Sequence, residues 1–337
     1  MRVTRTSQAA KVAALLGALL LIVLIVAPWW AGRADLRLMG EIFLYLALAS
    51  LWNLMAGYAG LVSVGQQAYV GFGGYMLFAL TIFAGFSPVV AIVGAGVLGA
   101  LISVPVALLI FRLRGAYFAI GTWVIAEVFR LSFAQISALG GGSGSSLPVK
   151  IVRSMADGRA AREALSYWLA LGVTVCVIAV IYLFLRSRQG LALTAIRDNE
   201  LAASSLGIDI WRTKFVVYVV TSALTAMVGA LIYLQKLRIS PDAAFSVNDW
   251  TAFVIFIVVI GGIGTIEGPI IGTLIFFALR ETLADLGTVY LMVLGVVAIL
   301  VMLRAPKGVW GLIRARFGLE LFPLSFHVKR TLNKKGT

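Results

Sequence analysis

The chain alternates long apolar runs with short polar stretches. A helix needs roughly 20 apolar residues to cross the hydrocarbon of a bilayer, and ten runs are predicted as spans: 12–30, 38–58, 60–83, 88–111, 116–136, 165–185, 215–235, 248–263, 268–284 and 286–303. The 248–263 run is short for a span, and 60–83 carries the adjacent amides Gln66 and Gln67, so each is a candidate for a broken or re-entrant helix. The predicted fold is an all-α polytopic membrane protein of about ten helices, eight to ten according to how those runs are counted. It forms one transmembrane domain over 1–337, with a polar internal segment at 190–208 and a tail from 304 to 337. The first run follows Arg2, Arg5 and Lys11 as a secretory signal would, but no suitable cleavage site succeeds it, and it is read as a retained helix.

Composition sharpens the class. Apolar residues make up 61% and charged residues 12% of the chain, about half the charged share of a soluble domain. A mean hydropathy of +1.01 over 337 residues cannot be hidden in one soluble core. The net charge of +14 could fit nucleic acid, but the basic residues cluster at the ends of apolar runs, which fits a bilayer and no nucleic acid. One cysteine, Cys176, lies inside an apolar run and one histidine, His327, in the tail. They are read as a buried small residue and a solvated one, with no disulfide framework or cysteine-based metal site.

Ten spans put both termini on one side. That side holds 18 of the 28 Lys and Arg residues, including Arg112, Arg114, Arg186, Arg188, Arg197, Arg212 and Lys214, so the termini and 186–214 are predicted to be cytoplasmic. The outer segment 137–164, with Lys150, Arg153, Arg159 and Arg162, runs against the rule.

The longest cytoplasmic stretch between spans contains "AIRDNELAASSLGI", Ala195 to Ile208. Residues 195–206 have no Gly or Pro and predict one helix, with Thr194 capping its start and Gly207 as the left-handed residue after its end. Asp198 and Glu200 suit its N-terminal dipole end. Ala202, Ala203, Ser204 and Ser205 are small enough for close approach by another protein, and the segment lacks the broad apolar face of a helix lying on lipid.

Three other stretches carry candidate chemistry. "GYAGLVSVGQQAYVGFGGY", Gly57 to Tyr75, has six glycines, which let helices pack closely or break. Its Gln66 and Gln67 either line a polar path or bond between helices. "GGIGTIEGPIIG", Gly261 to Gly272, predicts a tight helix–turn–helix with Pro269 in the first turn of the second helix and Glu267 solvated or docked on a partner. Glu127 sits late in the span 116–136 with Arg130 at i+3 as its pair. A carboxylate at mid-membrane costs ~2.5–3.5 kcal/mol and by default marks a functional site; Glu127 lies near the outer end, where the alternative is a side chain that snorkels to water. "LGGGSGSSLP", Leu139 to Pro148, reads as a flexible outer linker, with an outer docking surface as the alternative. No phosphate-binding loop, HExxH or GxSxG occurs, so the chain has no nucleotide or hydrolytic site of its own.

Taken together, "GYAGLVSVGQQAYVGFGGY", "RGAYFAIGTWVIAEVFRL", "GGGSG", "AIRDNELAASSLGIDIWRTKF", "SPDAAFSVNDW", "VVIGGIGTIEGPIIG" and "RAPKGVWGL" resemble, in order from about 40 to 312, the LivM-type permease subunits of branched-chain amino acid ABC importers. Permeases of urea and short-amide importers are closely similar. Glu200 to Gly207 looks like a loose E-A-A-x3-G motif with one residue inserted and the later part missing. The resemblance implies a coupling helix that fits a cleft on a cytoplasmic ATPase, with Arg197, Asp198, Asn199, Glu200, Ala202, Ala203 and Gly207 as coupling residues. It implies a second homologous permease, two ATPases that carry ATP and Mg²⁺, an extracytoplasmic solute-binding protein, and a multi-pass location in the bacterial inner membrane. No cofactor is expected on this chain. The substrate path is expected along Asn53, Ser63, Gln66, Gln67, Tyr69 and Glu127. Gln66 stands where relatives often carry His, and "GGGSG" lacks a common Asn; both bear on substrate choice. A passive channel and an intramembrane enzyme are the readings from other classes; the polar "DNELAASSLG" helix counts against the first and the missing catalytic motifs against the second.

Overall fold

The computed structural model describes residues 2–4, 8–283, 289–305, 307–317, 321–322 and 327–329. The architecture is all-helical. In chain order the helices are α1 Gln8–Val26, α2 Arg33–Asn53, α3 Gln66–Ile82, α4 Pro88–Ile110, α5 Ala116–Ala134, α6 Val149–Ser154, α7 Arg159–Arg186, α8 Arg188–Asp198, α9 Glu200–Ser205, α10 Ile210–Lys236, α11 Pro241–Ala244, α12 Phe253–Gly261, α13 Glu267–Leu283, α14 Val289–Arg304 and α15 Gly308–Phe317. Seven segments among the described residues are long and apolar enough to cross a membrane: Arg33–Tyr58, Pro88–Ile110, Ala116–Ala134, Arg159–Arg186, Ile210–Lys236, Pro241–Gly261 and Leu291–Phe317. A shorter apolar helix covers Leu15–Trp29.

Seven of the ten expected spans correspond to these segments; 12–30 falls on the shorter apolar helix, and 60–83 and 268–284 fall on α3 and α13, of 17 residues each, so the count of ten is not reached. Two of the runs also differ physically from expectation. The 60–83 run is not one helix. α2 ends in a π turn, Leu54–Tyr58, and the chain stays irregular until Gln66, with Gly60 at φ +68°. Irregular backbone inside a membrane protein survives only where protein satisfies it. Here Thr122 Oγ1 accepts from Val64 N (3.1 Å) and the Ser63 carbonyl accepts from Trp52 Nε1 (2.8 Å). The second difference lengthens the run at 248–263. Pro241 starts its helical segment, and a second π turn, Asn248–Ala252, carries it into α12.

The core forms where glycines remove the side chains between helices. α10 crosses α3 and α4. A Cβ on Gly73 would stand 1.9 Å from the Ala226 carbonyl oxygen, one on Gly229 2.2 Å from the Val70 carbonyl oxygen, and one on Gly99 2.6 Å from Ala226 Cβ. α12 and α13 form the expected tight pair, with Pro269 in the first turn of α13. A Cβ on Gly272 would meet the Ile257 carbonyl oxygen at 1.9 Å. Without hydrophobic driving force between helices in lipid, such contact is the main source of association. The outward faces of α1, α4 and α5 are lined by exposed Leu, Val, Ile and Trp, as lipid or partner surfaces require. Cys176, expected in the core, is exposed instead, because it lies on the outward face of α7.

Two short strand pairs close the ends. Arg2–Thr4 (β1) pairs antiparallel with His327–Lys329 (β4), so the two ends of the described chain lie side by side. Ser145–Ser146 (β2) pairs with Arg238–Ile239 (β3). The glycine stretch before β2 is therefore a clip rather than a linker. Gly144, at φ +80°, lies so close to the other strand that a Cβ would sit 2.1 Å from the Ile239 carbonyl oxygen.

Candidate functional site

The polar segment between α7 and α10 is two helices, not the single helix expected over 195–206. Asn199 is extended (φ −162°, ψ 109°) and breaks it into α8 and α9, its side chain capping α9 by accepting from Ala202 N at 3.0 Å. Thr194 lies inside α8, its hydroxyl donating to the Gly190 carbonyl (2.9 Å), so it caps nothing. Gly207 does adopt the expected left-handed conformation, φ +79°. Ala203 was expected to face a partner but is buried within the chain, because α9 is folded back toward α8 and α10. The Glu200 carboxylate pairs with Lys214 of α10 and fixes that posture. Ala202, Ser204, Ser205 and Asp198 face outward. The most exposed large apolar side chains of the segment are two leucines that the sequence reading passed over: Leu201, 82% exposed, and Leu206, 79% exposed.

Arg197 connects this segment to the interior. Its Nη1 donates to the Gly57 carbonyl in the π turn (3.4 Å), and its Nε lies 3.5 Å from Asp198. Gly57 stands against the turn between α12 and α13. A Cβ there would come within 2.5 Å of both Asn53 Oδ1 and Gly264 N. Asn53 clamps that turn from both ends of its amide: Oδ1 accepts from Gly264 N (2.8 Å), and Nδ2 donates to the Thr265 carbonyl (2.7 Å). Glu267, at the start of α13, is buried rather than solvated. Its Oε1 accepts from Leu321 N (3.2 Å) and Phe322 N (3.0 Å). The polar segment, the end of α2, the α12–α13 turn and residues 321–322 thus meet at one end of the helices.

Of the other expected path residues, Ser63, Gln66, Gln67 and Tyr69 are also buried, whereas Glu127 is half-exposed. Ser63 Oγ accepts from Gly65 N (3.1 Å), and the Tyr69 and Tyr218 hydroxyls share a hydrogen bond of 2.9 Å. Gln66 Nε2 donates to the Leu48 carbonyl (3.0 Å), and Gln67 Oε1 accepts from the Thr251 hydroxyl at the second π turn. Each glutamine keeps one buried polar atom without a partner, Oε1 of Gln66 and Nε2 of Gln67. Native interiors rarely leave such atoms unspent. Glu127 pairs with Arg130 as expected, Nε standing 2.9 and 3.0 Å from its two oxygens, but Arg130 also reaches Asp242 Oδ1 (2.6 Å) and so ties α5 to α11. Among the described residues no group of three His, Cys, Asp or Glu side chains could hold a metal.

A bundle of apolar spans with glycine-sealed crossings, two π turns and one polar two-helix segment defines a multi-pass membrane protein. The model of the family "Branched-chain amino acid transport system / permease component" matches residues 36–303, and the chain belongs to that family. It is 25% identical over 323 residues to the high-affinity branched-chain amino acid transport system permease protein LivM of Escherichia coli strain K12, covering 89% of this chain and 76% of that one. It is 25% identical over 278 residues to the probable branched-chain amino acid transport permease protein LivM of Methanocaldococcus jannaschii, covering 71% and 78%. To the permease protein LivH of the Escherichia coli strain K12 system it is 34% identical over 145 residues, covering 41% and 45%. No solved structure matches the chain significantly.

Proposed function

We propose that this chain is one permease subunit of an ATP-driven importer for leucine, isoleucine and valine in a bacterial inner membrane. One observation beyond the family carries the coupling part of this reading. The polar segment between α7 and α10, α8–α9, is wired by Arg197 to the π turn of α2 and lies against the α12–α13 turn. π turns recur at functional sites. In this reading α9 docks in a cleft on a cytoplasmic ATPase, with Leu201 and Leu206 as its apolar anchors. ATP and Mg²⁺ sit on two such ATPases, and this chain needs no cofactor. ATPase closure then shifts Arg197, Gly57 and the Asn53-clamped turn together, and the irregular stretch 59–65 passes the movement to α3. Gln66 and Gln67, each with an unspent polar atom, are the groups placed to meet substrate when that stretch rearranges. A second permease of the same family completes the path, and an extracytoplasmic binding protein delivers the solute. The whole chain acts as one transmembrane domain.

The reading requires α8–α9 to be cytoplasmic. α10 has 27 residues, about 40 Å of helix, and separates Ser204 near its start from Ser146 near its end. In a Cys176→Ser background, Ser146→Cys should react with an impermeant maleimide on intact cells. Ser204→Cys should react only after permeabilisation. The reverse pattern would invert the topology and sink the coupling assignment. The transport reaction itself is tested by ATP-dependent leucine uptake in reconstituted vesicles.

A further inference from the structure

A cavity of about 610 Å³ lies at the opposite end of the helices from α8–α9, walled by α2, α6, α7, the end of α10 and the second π turn. Both α7 and α10 run from this cavity to the polar segment, so it opens at the far end of the spans. Arg37 and Arg159, 62% and 68% exposed, stand among its lining residues.

The charges in the cavity are not balanced. Arg33, Arg37 and Arg159 all converge on the Glu163 carboxylate. Glu41 is held bidentately by Arg280, at 2.7 and 2.9 Å. Both lining carboxylates are therefore ion-paired with arginines, although the buried Glu163 Oε2 makes no hydrogen bond. Arg162 and Lys236 have no carboxylate within ion-pair distance among the described residues. Arg162 donates only to the Ala156 carbonyl, at 3.4 Å. The Lys236 ammonium lies over the rings of Trp250 (4.6 Å) and Tyr233 (5.8 Å), a cation–π seat that holds its position and leaves a face of the ammonium for an anion. Asp249 and Glu41 act on it only at longer range.

The backbone around Lys236 is also unusual. Leu237, next in the chain and also on the cavity wall, is the only non-glycine residue with positive φ (+57°) among the described residues. A left-handed leucine is costly and persists where surrounding structure enforces it, often at functional sites. Trp250 belongs to the π turn. The rest of the wall is aliphatic, including Leu36, Leu44 and Ile232, with Gln235 and Ser166 as polar points.

We infer that this cavity is an entry site that takes a small aliphatic α-amino acid from the binding protein, its carboxylate on Lys236 and its side chain against Leu36, Leu44 and Ile232. The inference rests on the transport reading and deepens it by locating a substrate site on this chain. A surplus cation beside an aliphatic wall fits an acid with a short apolar chain. A phospholipid would match the cation, but its acyl chain would put the charged Glu41–Arg280 pair and the Gln235 amide against hydrocarbon, a desolvation cost that a short side chain avoids.

The test uses the whole importer, purified with its partner subunits in nanodiscs without the binding protein, and radiolabelled leucine. Binding should be saturable, competed by isoleucine and valine, and not by leucinamide, which lacks the carboxylate. Lys236→Met should weaken it at least about tenfold, the scale expected for loss of one close charge pair. Lys236→Arg should stay within about threefold of the parent, since the cation survives. The proposal fails if binding is not saturable, if Lys236→Met binds as the parent does, if leucinamide competes equally, or if phosphatidylglycerol displaces the leucine. ATP-driven uptake by the same preparation, with binding protein restored, separates the two failures. Normal uptake without this binding sinks the cavity alone, whereas no leucine uptake sinks the transport reading.

Discussion

Replacing Leu201 and Leu206 together by glutamate should abolish leucine uptake while leaving the subunit at normal abundance in the membrane. Both side chains are almost fully exposed in the isolated chain, so folding does not depend on them. Burying a leucine on docking contributes roughly 1.5–3 kcal/mol, and losing two such contacts weakens an interface by about two to four orders of magnitude. Co-purification of the ATPase through a tag on this chain should disappear. Ala203→Trp should behave differently. Ala203 is buried inside the subunit, so a bulky group there disturbs α9 itself and should lower abundance as well as uptake. If the double leucine variant keeps the ATPase and transports normally, α9 is not the docking element.

Gly229→Val should have the second large effect, on assembly of the bundle. The Cβ of any residue at 229 would stand 2.2 Å from the Val70 carbonyl oxygen, and the opposing Gly73 is as tightly placed against Ala226. Backbone faces backbone on both sides of this crossing, so no side chain can swing away to relieve the clash. Overpacking a well-filled core costs about 1–3 kcal/mol, and more is expected where neither helix can yield. The mutant should show a marked loss of membrane abundance and of resistance to protease. Gly172→Ala is the matched control. It lies in α7 with nothing within 4 Å of the added Cβ, and should be neutral or stabilising by roughly 0.5–1 kcal/mol from helix propensity. Equal loss in both variants would mean that the α3–α10 contact does not organise the fold.

The periodic apolar runs made the helical membrane fold legible, because hydropathy and length alone set what can cross a bilayer. Glycine and proline made the α12–α13 hairpin legible at Gly261 to Gly272. Interruptions were harder. The break at Asn199 has a local signal, an Asn able to cap the helix that follows, but the good helix formers on both sides masked it. The π turns at 54–58 and 248–252 carry no such signal, since each depends on a neighbour: Gly57 on the α12–α13 turn, and Thr251 on Gln67. Leu201 and Leu206 carry a sequence signal, because two leucines flank an otherwise small and polar stretch. The partner that Arg130 finds in Asp242 and the far cavity lay beyond any sequence pattern. The cavity draws on Glu41, Glu163, Lys236 and Trp250, which only the packed bundle brings together.

The central claim is ATP-driven import of branched-chain amino acids through a path to which this chain contributes. It is tested most directly in proteoliposomes holding this subunit with its co-purified partners, supplied with binding protein outside and ATP inside. The account predicts accumulation of radiolabelled leucine above its external concentration, dependent on ATP hydrolysis, competed by isoleucine and valine and not by urea or acetamide. Leucine entry that proceeds equally without ATP and only to equilibrium, or accumulation of urea in place of leucine, would contradict it.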